Sequence, residues 1–108
     1  MIALLTMQVA IVVSQADEQS FRDYRDCVTQ QINNADLVGK DSEMIRNAQK
    51  ACEDDRFAAA MEMAADDVEH EVAGKKLPAG VDVRMSLMEN ELKADVLSGL
   101  VDRRMKAK

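Results

Sequence analysis

Apolar residues recur along this chain at helical spacing rather than in alternation. Phe21, Tyr24, Val28 and Ile32 fall on one stripe, with Cys27 alongside, and predict a helix from Asp17 to about Asn34. Asp17 and Glu18 favour its start, and Asn33-Asn34 its end. Ala35 to Lys40 reads as a connection in which Gly39 is free to take a positive φ. Asp41 or Ser42 can cap a second helix, whose apolar pattern begins at Met44. Ile45, Ala48, Cys52, Ala59 and Met63 follow one face. Arg56 interrupts that row, which implies a salt bridge or a local gap. The pattern runs to Ala73, with Gly74 as a stop, and its length predicts a kink near Glu53-Asp54-Asp55. Leu77 to Val81, carrying Pro78 and Gly80, reads as a turn. A third helix then runs from an Asp82 cap to near Lys106. Met85, Met88, Leu92, Val96 and Leu100 make its main stripe, and Leu87, Ala94, Leu97 and Val101 widen it, as expected of a helix packed against two others.

Ahead of these elements, Ile2 to Val13 is apolar except for Thr6 and Gln8. That run is shorter than the roughly 20 residues a bilayer span takes, and has the length of a signal-peptide core. Ser14 and Ala16 are small residues placed for a cut before Asp17. The expected organisation is a signal peptide at 1–16 and a single helical domain at 17–108. The segment lacks the basic n-region of a signal peptide, and the competing reading is an apolar helix belonging to the core. With export, the mature protein is periplasmic or secreted and has no membrane span.

Cys27 and Cys52 are the only cysteines and lie almost symmetrically about Gly39-Lys40. On two helices folded back at Gly39, they differ in distance from the turn by only ~5 Å at 1.5 Å per residue. An exported chain reaches an oxidising compartment, so the pair predicts a structural disulfide that stabilises by roughly 3.5 kcal/mol on the chain-entropy relation. The fold expected is all-α: a hairpin over 17–73 stapled by Cys27–Cys52, plus a C-terminal helix, forming a three-helix bundle. Three aromatic residues and one proline among abundant Ala, Leu and Met disfavour a β-sandwich or barrel.

The net charge is −6. Residues 17–80 carry 15 acids and 8 bases, while the basic excess lies at Arg103-Arg104-Met105-Lys106-Ala107-Lys108. An acidic domain repels phosphate backbones, so nucleic acid is not expected as a partner. The basic tail reads as a helix C-terminus complementing its own dipole.

Three constellations bear on chemistry. Cysteines 25 positions apart are unlike the close pair of a redox motif, and a metal site would need further ligands. Glu62, Asp66 and His70 can line one face. Asp67-x-x-His70 matches half of a di-iron ligand set, but His70 is the only histidine, so the set cannot be completed and a solvated acidic face is the better reading. A nucleophile–His–acid triad has neither elbow nor strand scaffold here. Six methionines follow residue 16: Met44, Met61, Met63, Met85, Met88 and Met105. Thioethers bind Cu(I), yet Met61 and Met63 at i, i+2 point apart on a helix, and Met85 and Met88 sit in the apolar stripe as core fillers. No catalytic, cofactor or metal residue is assigned; the only site residues are Cys27 and Cys52.

Tyr24-Arg25-Asp26-Cys27-Val28, followed by Ala48-Gln49-Lys50-Ala51-Cys52, resembles small exported helical proteins common in alphaproteobacteria, over roughly residues 1–60. That resemblance carries no function with it. In size, single disulfide and basic C-terminal helix the chain is also similar to periplasmic acid-stress chaperones. The expected role is non-enzymatic: protein interaction or envelope stress, acid-chaperone-like or inhibitor/immunity-like, with an unspecified protein partner and no cofactor. The alternative is copper binding through the methionines and His70.

Overall fold

A computed structural model describes residues 13–72 and 80–107, with the side chains of 69–72 excepted. All regular structure among the described residues is helical: α1 (Gln15–Asn34), α2 (Asp41–Ala51), α3 (Glu53–Val72) and α4 (Val81–Lys106). Four helices replace the three expected, because the long second helix breaks. The break is at Cys52, one residue before the acidic run predicted to kink it. There φ −105° and ψ 20° take the backbone out of the helical well, while its N–H still bonds back to Ala48 and Gln49. Glu53, Asp54 and Asp55 then form the first turn of α3, where carboxylates favour the positive end of a new helix dipole. The helix resumes at once, with Arg56 N–H bonding Cys52 C=O at 3.1 Å.

α1 touches each of the other three helices. Its whole predicted stripe is buried: Phe21, Tyr24, Val28 and Ile32, with Phe21 and Tyr24 meeting edge to face at 5.2 Å. Met44, Ile45, Ala48, Ala59 and Met63 join it in the core from α2 and α3, Cys52 from the break between them, and Met85, Met88, Leu92, Val96 and Leu100 from α4. The fold spans 54 × 39 × 18 Å, and each helix touches all the others.

α1 begins two residues earlier than expected. Ser14 is its N-cap: its hydroxyl accepts from Asp17 N–H at 3.1 Å, and Asp17 accepts from Ser14 N–H at 3.3 Å. The Ala16–Asp17 bond, where a signal peptide would be cut, thus lies in the first turn of α1. Residues 1–12 of that segment lie outside the described residues, as do the Gly74 stop and Pro78 of the predicted turn. Two other caps shift by one or two positions. α2 is entered from Lys40, whose N–H bonds the Glu43 carboxylate at 3.3 Å, and α4 from Gly80. Gly39 has φ +77°, the left-handed conformation the connection needed.

Candidate functional site

Cys27 of α1 and Cys52, at the α2–α3 break, are joined as a disulfide with Cα atoms 5.9 Å apart. Cys52 is buried and Cys27 partly so. The bond ties the break to α1.

Beside it, Tyr24 is the centre of a polar cluster drawn from α1, α3 and α4. Its hydroxyl donates to Glu89 of α4 at 2.8 Å. Arg56 of α3 holds Glu89 through two bonds of 3.0 Å, the bidentate fork that guanidinium and carboxylate geometry favours. The salt bridge expected of Arg56 is therefore present. Burial opposes the charge on Glu89, but the bonds from Arg56 and Tyr24 and the nearby Arg56 and Lys93 charges prevail and lower its pKa. Burial raises the Tyr24 pKa, reinforced by the Glu89 carboxylate, and the bond to Glu89 raises that of Arg56.

A second bridge is deeper. Arg84, 5% exposed, lies 3.0 Å from Asp17 of α1 and 2.7 Å from Asp67 of α3. The acidic face predicted on α3 is thus partly structural. Asp67 pairs with Arg84; the His70 side chain lies outside the described residues. Among the described residues no three of His, Cys, Asp and Glu converge as for a metal ion.

The basic tail forms a third bridge. Arg103 donates to the C=O of Ile32 at 2.8 Å and of Ala35 at 3.0 Å, capping the carbonyl end of α1, which has no base of its own in its last turn. Arg104 bonds Asp41 at 2.7 Å and Gly39 C=O at 2.9 Å. The tail complements the dipole of α1 across space, a role that its position at the end of α4 does not signal.

Of the methionines, Met44, Met63, Met85 and Met88 are buried in the core, while Met61 and Met105 are exposed. Met61 and Met63 do point apart. The widened α4 stripe needs correction: Leu87, Leu97 and Val101 are 40–45% exposed and Ala94 is exposed, because only one side of α4 meets other helices. Beside them, Ser42, Ile45, Arg46, Gln49, Lys93, Ala94 and Leu97 line a mainly apolar groove of about 410 Å³ between α2 and α4.

No protein-family model matches this chain, and no curated protein or solved structure matches it either. The reading of the site rests on its own geometry. That geometry offers cross-helix polar bridges and uncovered apolar surface. No helix among the described residues is long and apolar enough to cross a membrane.

Proposed function

We propose that this is a non-enzymatic, exported protein that binds other proteins through apolar surface, more of which is released on acidification. The observation that carries the reading is that the ion pairs between helices share one dependence. Glu89 under Tyr24 and Arg56, Asp17 and Asp67 around Arg84, and Asp41 under Arg104 each supply the anion. Protonating carboxylates removes that half of each of these ion pairs, while the Arg103 bonds to the Ile32 and Ala35 carbonyls do not titrate. It also leaves fourteen Lys and Arg side chains and His70 without compensating charge. The disulfide does not titrate, so α1 stays tied to the α2–α3 break while α4, which no disulfide ties, loosens. What α4 then uncovers is Met85, Met88, Leu92 and the facing Met63, adaptable surface suited to unrelated clients. A periplasmic or secreted location fits the disulfide and the apolar segment before Ser14.

The test is suppression of a client protein's aggregation between pH 7 and about pH 3, spanning the carboxylate range, with a hydrophobic dye followed in parallel. Dye binding and suppression should rise together as pH falls. A protein inert toward both at about pH 3 contradicts the acid-released mode and leaves binding through the neutral surface.

A further inference from the structure

The exposed side of α4 has an order of its own. Val83, Leu87, Asn90, Ala94, Leu97 and Val101 follow one another at spacings of four and three, the heptad seam by which one helix packs on another. The core-facing stripe of Met85, Met88, Leu92, Val96 and Leu100 occupies the opposite side, so α4 carries two seams and this fold uses one. All six outer residues are exposed; Val83, Leu87, Leu97 and Val101 are each 40–45% so.

We infer that this outer seam binds a second copy of the chain, α4 against α4, antiparallel about a two-fold axis level with Leu92. The order of residues is self-complementary in that register. Val83 meets Val101 of the other copy, Leu87 meets Leu97, and Asn90 meets Ala94, each pair occurring twice. Like-sized apolar residues oppose each other, and the one polar seam residue faces the smallest, where space remains for its amide. A buried Asn in a helical seam fixes register. Antiparallel helix dipoles add to the preference over a parallel pair. The α2–α4 groove lies along the same line, and Ala94 and Leu97 belong to both, so side chains of the second copy enter it as knobs enter holes. The seam spans about 27 Å of helix, which places the contact at the low end of specific interfaces, on the order of 1,000 Å² in total. Glu91 and Lys93 lie nearest their own counterparts across the axis. Salt therefore screens a repulsion and strengthens the pair, unlike an interface held by opposite charges.

Sedimentation of the full chain at neutral pH decides this. The mass should rise from monomer to dimer with concentration, and more steeply in high salt. Leu87→Glu or Leu97→Glu, both at exposed positions and both expected to keep the helical circular dichroism, should weaken association roughly 100-fold, since each change enters twice per dimer. Spin labels at Asp102 should lie about 30 Å apart along the axis. Labels within one interhelix spacing of ~10 Å would mean a parallel pair and overturn the register. A monomer at every concentration overturns the interface. So does a dimer that survives Leu97→Glu and is lost on Phe57→Ser, which would place it on the exposed face of α3.

Discussion

Glu89→Gln removes one charge from the junction of α1, α3 and α4 while keeping its shape. The Tyr24 bond is buried at its donor and 2.8 Å long, and losing the anionic acceptor there should cost about 1 kcal/mol, since charge-assisted bonds are about twice as strong as neutral ones. The Arg56 side chain is 44% exposed against 14% for Glu89, so that bridge is discounted toward the surface range, about 0.5 kcal/mol. Together this lowers Tm by roughly 6–10 °C for a domain of this size. The pH dependence is sharper than the magnitude. Because the folded pKa of Glu89 is lowered from 4.5, its contribution is complete above the unfolded value and is lost as pH falls through the folded one. Calorimetry of both proteins should therefore show the full gap at pH 7 and a gap closing below about pH 4. An equal gap at both ends of the range would mean that packing, not charge, is what Glu89 supplies.

Three further perturbations test other parts of the fold. Tyr24 is the only tyrosine and there is no tryptophan, so near-ultraviolet tyrosinate absorbance reports this one hydroxyl. Its raised pKa contributes stability that is complete below pH 10 and lost above it, so ionisation should come with unfolding; a reversible titration near pH 10 in the folded protein would refute the buried bond. Cys27→Ser should lower Tm by at least about 10 °C, from the roughly 3.5 kcal/mol of the loop it opens, and unchanged melting would show that α1 and the α2–α3 break need no tie. Arg84→Met should destabilise by about 3–5 kcal/mol by leaving Asp17 and Asp67 without their cation, and adding Asp17→Leu and Asp67→Leu should recover most of it; denaturant melts compare the two, and no recovery would contradict the ion triad.

The buried stripes were legible because burial imposes a 3.6-residue period on residue type. Phe21, Tyr24, Val28 and Ile32 on α1, and Met85 to Leu100 on α4, could be read from spacing alone. The cysteine pairing was legible because symmetry about a flexible glycine is a geometric statement. The second α4 seam was misassigned because periodicity reports that a face is apolar, not what covers it. Leu87, Leu97 and Val101 follow the same rule whether they meet a neighbouring helix or water. The bridges of Arg84, Arg103 and Arg104 had no local signal, since each depends on which element passes nearby. Arg103 serves the end of α1 although it lies 71 residues from Ile32. Only Arg56 hinted at its role, as a single charge placed in an apolar row.

The claim that carboxylates clamp the helices together is tested most directly by circular dichroism of the full chain, disulfide intact, from pH 7 to about pH 3. Near-ultraviolet signal reports the packed Phe21–Tyr24 pair, and far-ultraviolet signal the helices. The account predicts that the first is lost while most of the second remains, as tertiary packing goes and the tied helices persist. Both signals unchanged at the acid end would contradict it, and both lost together would mean global unfolding rather than release of α4.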